Sequence, residues 1–200
     1  CRNWYSKDDN GEFETGQIDK MSFRSDGYPT YIPQLLSGVS LPQYVATIWA
    51  RIEGWKIGEY KVFFEGQGEL DINVGVERFR RLDAHTYAFT LPTNINREIQ
   101  LIIKKSLAND PIKDIRIIHS EYESTYKTHP FNPLWLSYLK PFKSLRFMDW
   151  GHTNFWGQKD DWTWNQNKLD WSSRAKLEDY TWTSYKGIPY EMMIMLMEEL

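Results

Sequence analysis

The chain has 200 residues, 41% hydrophobic and 26% charged, and a formal net charge of −3, a size and balance that admit one large soluble domain or two small ones. A weakly acidic chain offers no positive field to gather phosphates or anionic lipid, which excludes nucleic acid as an expected partner, and no apolar run reaches the roughly 18 residues of a membrane span. Cysteine occurs once, at position 1, which excludes an internal disulfide and a paired-thiolate metal site; Cys1 either carries a lipid anchor or is simply where the chain starts.

Residues 1–40 are polar and rich in turn formers, with Asp8-Asp9-Asn10-Gly11 and Ser25-Asp26-Gly27-Tyr28-Pro29 reading as loops that pad a sheet edge. From Gln43 to Ile118, short β-branched and aromatic runs alternate with Gly, Pro and Asn, the pattern of an antiparallel sandwich. The first strand runs Tyr44 to Ile52, setting Tyr44, Ala46 and Ile48 against Val45, Thr47 and Trp49. Gly58 to Gly66 and Gly68 to Val74 follow, joined where Glu65-Gly66-Gln67-Gly68 supplies glycine for a turn or bulge. Glu77 to Leu82, Thr86 to Leu91, Arg97 to Leu107 and Ile112 to Ile118 complete the set.

The run His119 to Pro130 loses periodicity and reads as the way into a new domain. Helical spacing then appears at Leu134, Trp135, Leu136, Tyr138 and Leu139, with Asn132 as N-cap and Pro133 in the first turn. Ser144 to Trp150 reads as a short strand, a long Trp-rich loop follows, and Pro189 to Leu200 forms a helix with Met192, Met193, Leu196 and Met197 for packing. Seven of the ten Trp fall after residue 130, so the two halves differ in kind. The expected organisation is a β-sandwich domain over 1–120, a linker over 121–130, and the first elements of a β/α domain over 131–200.

The stretch Pro130-Phe131-Asn132-Pro133-Leu134-Trp135-Leu136, then Leu139-Lys140-Pro141-Phe142, Leu145-Arg146-Phe147-Met148-Asp149-Trp150 and Thr153-Asn154, resembles a group of large, mostly bacterial proteins described as cellulose-binding or glycoside-hydrolase-like. Gly58-Glu59-Tyr60, Asp110-Pro111-Ile112-Lys113-Asp114-Ile115-Arg116-Ile117, Trp171, Arg174 and Gly187-Ile188-Pro189-Tyr190-Glu191 extend the similarity over nearly the whole chain. The resemblance implies a mainly β fold: an antiparallel β-sandwich followed by the opening of an incomplete (β/α)8 barrel akin to retaining glycosidases. A barrel takes roughly 250 residues, more than the 70 that follow Pro130, so the family's catalytic carboxylates are expected beyond this chain. It also implies a polysaccharide or oligosaccharide partner, protein partners if the chain joins an assembly, an extracellular or cell-surface location, and a Cys1 that is not a lipidation site. The opposing reading is a non-catalytic structural or interaction module, since fold alone does not settle function.

No carboxylate pair can be assigned as nucleophile and acid/base, which sit about 5 Å apart in retaining enzymes, so no catalytic residue is expected here. Asp149 stands at the C-terminal end of the first barrel-like strand, where such folds place functional groups; the competing reading is an ion pair with Arg146 or Arg174. Trp150, His152, Asn154 and Trp156, with Arg174 downstream, form the candidate carbohydrate site, because flat rings pack on the C–H faces of sugars while indole N–H, Asn and His direct hydrogen bonds. A hydrophobic cap or an interdomain seam would use the same Trp. Trp49, Trp55, Tyr60 and Phe63 offer a second aromatic platform in the sandwich, or core packing. His85, His119, His129 and His152 lack metal-ligand spacing, and phosphate loops, a GxSxG elbow and a CxxC pair are missing; no cofactor or metal is implied.

Overall fold

The computed structural model describes residues 3–10, 14–50, 54–73, 75–92, 98–151, 170–182, 184 and 186–200. The chain divides into two compact units, Cys1–Glu123 and Ser124–Leu200.

The first unit is mainly β. Its strands are β1 (Tyr5–Lys7), β2 (Tyr44–Trp49), β3 (Gly58–Glu65), β4 (Gly68–Asn73), β5 (Glu77–Arg81), β6 (Thr86–Leu91), β7 (Ile99–Ser106) and β8 (Lys113–His119). They form two antiparallel sheets, ordered β1-β2-β7-β4 and β5-β6-β3-β8. Period-2 alternation sends Val45, Leu70, Ile72, Ile99, Leu101 and Ile103 from one sheet, and Tyr60, Val62, Phe64, Tyr87, Phe89 and Leu91 from the other, into one buried cluster. This is the sandwich-like arrangement that the strand pattern predicts. Pairing of Val45 with Ile103 and Tyr60 with Phe89 sets the register; a one-residue slip would turn every core side chain to the wrong face.

Strands β2 to β8 stand where the alternation places them, but β1 does not follow from the sequence pattern. Three residues carry too little periodicity to be read, yet Tyr5 is buried and pairs with Ala46. The polar segment before β2 is pinned rather than loose. Gln34 is buried, exchanges backbone hydrogen bonds with Gln43, and uses its amide to accept from the Ser22 N–H (2.8 Å) and donate to the Ser22 (3.0 Å) and Tyr31 (2.9 Å) carbonyls. The Gln34 side chain thus adds to the isolated bridges by which this segment is paired. Residues 121–123, expected to begin the linker, are tied to the sandwich by the ion pairs Lys56–Glu121 and Lys61–Glu123.

In the second unit, α1 (Pro133–Leu139) and α2 (Tyr190–Glu199) form as expected, with the Asn132 side chain accepting from Leu134 N at 2.8 Å. Phe131, Met192 and Leu196 make its buried centre, with Trp135, Leu139, Phe147, Trp150, Trp182 and Ile188 packed around them. The strand expected over Ser144 to Trp150 is corrected: residues 144–147 are irregular and 148–151 a turn. A strand needs a neighbour for its N–H and C=O groups, and the second unit holds no other strand among its described residues. The Trp150 carbonyl instead accepts from Ile188 N at 2.7 Å, and Gly151 N donates to the Phe147 carbonyl at 3.1 Å.

Two buried phenols give the sandwich a testable alkaline limit. Tyr28 accepts from Ile115 N at 3.0 Å and Tyr60 donates to the Lys56 carbonyl at 2.7 Å; burial, in each case the largest cause, pushes both up to about 12. Because the folded value is raised above the ordinary 10.0, their contribution is intact below pH 10 and is lost as pH rises through 12, where the unfolded chain has already ionised. Denaturant midpoints should therefore fall between pH 10 and 12. Tyr60→Phe should cost roughly 1 kcal/mol near neutrality and flatten that fall, whereas an unchanged slope would contradict the assignment.

Candidate functional site

The most promising site in the second unit is built from two short segments. Asp170 caps the 3-10 turn Trp171–Ser173: its carboxylate accepts from Ser172 Oγ (2.6 Å) and Ser173 N (2.9 Å). Those bonds, the Ser172 hydroxyl first, hold its pKa below the usual carboxylate value. The turn presents Trp171 outward and delivers Arg174 beside it, the guanidinium carbon 4.1 Å from the Trp171 ring centroid. Arg174 then donates to Glu191 Oε1 at 2.5 Å.

Glu191 lies in the first turn of α2, where the helix dipole favours a negative charge. Its own backbone N–H and then Arg174 lower its pKa. The pair locks the 170–174 turn to the start of α2 and brings Tyr190 against Trp171, ring centroids 5.9 Å apart and planes 13° from parallel. Gly187 makes the approach possible. It has φ +74°, and a Cβ there would fall 2.4 Å from the Trp150 carbonyl oxygen, the acceptor for Ile188 N.

The outcome is an aromatic surface over a small hollow. Trp171 is 68% exposed and Tyr190 49%, and the hollow of about 120 Å³ is lined by Gly151, Asp170, Arg174, Lys186 and Ile188 besides the two rings. Pockets that enclose a whole small molecule hold roughly 300–1,000 Å³. The hollow is therefore of the size of a substituent, and the rings beside it present a flat apolar face. Lys186, which has no ion-pair partner among the described residues, also lines the hollow.

Of the residues expected to form the carbohydrate site, Arg174 belongs to this surface. Asp149 is exposed and pairs with neither Arg146 nor Arg174. Trp150 is half-buried, stacked on Trp135 (5.9 Å, 20°) and packed on Phe147 (5.4 Å); its carbonyl positions the site, but its ring is packing. His152, Asn154 and Trp156 lie outside the described residues, as does Cys1. In the sandwich, Trp49 and Trp55 are partly buried against the core, Tyr60 is buried on Phe89, and Phe63 alternates to the opposite face of β3. Sequence reasoning missed Asp170, Lys186 and the Trp171–Tyr190 pairing. The available signals were an Asp before Ser-Ser, which makes a cap, and a Gly-Ile-Pro entry to a helix. No group of three or more His, Cys, Asp or Glu among the described residues could hold a metal ion, and no helix among them is long and apolar enough to cross a membrane.

Two tryptophans should separate packing from surface. Trp150→Ala should cost the second unit roughly 2–4 kcal/mol, whereas Trp171→Ala should cost less than about 1 kcal/mol. Unfolding followed by near-ultraviolet circular dichroism distinguishes them, and equal losses would contradict the placement.

No protein-family model, no curated protein and no solved structure matches the chain, so the reading of this site rests on its own geometry.

Proposed function

We propose that the protein binds saccharide on the Trp171–Tyr190 surface, as a carbohydrate-binding or supporting module of a glycoside-hydrolase-like, polysaccharide-active protein. The observation that carries this reading is the exposed, nearly parallel ring pair edged by Arg174, Asp170 and Lys186 above a substituent-sized hollow. Sugar rings offer an apolar C–H face to such a surface and hydroxyls to its charged edge. On the family resemblance, the protein acts outside the cell or at its surface.

Catalysis by these residues is not part of the proposal. A glycosidase acid must hold its proton near neutral pH, whereas Asp170 and Glu191 are both shifted to stay ionised. We read the second unit as the opening part of a larger β/α domain. Leu134, Tyr138 and Phe142 around α1, and Ile194 and Met197 on α2, are exposed apolar side chains, and soluble surfaces rarely leave contiguous apolar patches uncovered. The same side chains support the second reading, a non-catalytic interaction module that engages another protein.

Calorimetric titration with neutral gluco- and xylo-oligosaccharides decides between them. Saccharide binding should be measurable and should weaken at least tenfold in Trp171→Ala with melting unchanged. Absence of binding to any oligosaccharide, or binding indifferent to Trp171→Ala, would overturn the saccharide reading and leave the interaction module.

A further inference from the structure

We infer that the sandwich carries a second ligand site, independent of the Trp171–Tyr190 surface, that takes an acidic saccharide: a sugar bearing one carboxylate among several hydroxyls. The site is a groove of about 520 Å³ formed where the β3–β4, β5–β6 and β7–β8 turns meet. That volume lies within the range of pockets that hold a small molecule.

The groove is built rigidly. Gly66 has φ +85°, and a Cβ on it would fall 2.3 Å from the Pro111 carbonyl oxygen; a Cβ on Gly68 would fall 2.0 Å from that of Lys105. Only glycine permits these approaches, and they let Gln67 N donate to the Asp110 carbonyl (2.8 Å) while Leu107 N donates to the Gln67 carbonyl (3.0 Å). The β3–β4 turn is thereby clamped to the β7–β8 turn. On the third side Arg81 is held by donation to the Asp83 (2.8 Å) and Ala84 (2.7 Å) carbonyls and lies 5.4 Å from the Tyr87 ring centroid. A guanidinium has five N–H donors, so this held side chain keeps donors to spare.

The charges of the lining select the ligand. Lys105 sits directly across from Glu69 in the ladder, yet neither has an ion-pair partner among the described residues. Arg81, Lys105 and exposed His85 supply donors, while Glu69 and Asp110 supply carboxylate acceptors. A phosphate, with more than one negative charge and no hydroxyls for Glu69 and Asp110, would meet stronger repulsion from the two carboxylates than a singly charged group, and a neutral sugar would leave the cations without a charged acceptor. A uronate answers both, its carboxylate to Arg81 and Lys105 and its hydroxyls to Glu69 and Asp110.

The test is titration of the full chain with galacturonate, trigalacturonate and the neutral trisaccharide cellotriose. The acidic sugars should bind at least tenfold more tightly than cellotriose at this site, with salt weakening them. Lys105→Gln, which disturbs no hydrogen bond of the groove, should weaken acidic-sugar binding at least fivefold, and Arg81→Gln more, while Trp171→Ala leaves it unchanged. Equal affinity for monomer and trimer assigns the site to free sugar acids, and a tighter trimer assigns it to a chain. Failure of both acidic sugars to bind, indifference to Lys105→Gln and Arg81→Gln, or loss in Trp171→Ala instead would overturn the proposal. The last result would move acidic-sugar binding to the second unit and leave the saccharide reading of that unit standing.

Discussion

Strand β7 is buried on both of its faces, and the rest of the sandwich is arranged to satisfy it. Ile99, Leu101 and Ile103 enter the core between the sheets, while Gln100 and Ile102 are buried on the other face beside Tyr5, Ala46 and Ile48. A strand in that position must have its whole backbone ladder filled, since an unpaired buried N–H or C=O costs about as much as a lost hydrogen bond. Strands β2 and β4 fill it from the two sides. The buried Gln100 amide needs a partner of its own and donates to Tyr5 Oη at 2.5 Å. That requirement explains why a three-residue strand with no readable periodicity is held at the sheet edge. It also reaches the turns: Ser106, at the end of β7, exchanges hydrogen bonds with Ile32 and accepts from Ile112 N, which sets the β7–β8 turn against Gly66 and Gly68.

In the second unit the organising contact is polar. The Arg174–Glu191 pair is partly exposed, and such pairs contribute little stability alone. Its effect is geometric. It ties a five-residue turn to the first turn of α2 and brings two aromatic rings into one surface, while the hydrophobic centre around Phe131, Met192 and Leu196 holds the helices themselves. Packing and exposure are thus divided among different tryptophans: Trp135, Trp150 and Trp182 surround the centre, and Trp171 faces solvent.

The strands of the sandwich were legible because β-branched and aromatic runs bounded by glycine are local signals, and β3, β4 and others add alternation to them, although β2 and β7 are buried on both faces. The helices were legible through Asn132-Pro133 and through the spacing of Met192, Met193 and Leu196. The misread element was Ser144 to Trp150. An apolar-rich run has strand propensity even with the two charges Arg146 and Asp149, but pairing is supplied by tertiary context, and here the Trp150 carbonyl that would join a ladder is taken by Ile188. The site was legible only in part for a similar reason. Arg174 was among the residues expected there, whereas the meeting of Trp171 with Tyr190, nineteen positions apart, depends on Gly187 and on the ion pair behind it. Richness in Trp signalled that the region is unusual, and it could not tell which ring would be left facing water.

The most direct measurement is of the indole N–H resonances during titration with a neutral oligosaccharide. Saccharide bound on the Trp171–Tyr190 surface should shift the Trp171 indole signal in a saturable way and leave those of Trp135 and Trp150 in place. A titration in which no indole moves, or in which the Trp135 and Trp150 signals move and that of Trp171 does not, would contradict the assignment of this surface as the saccharide site.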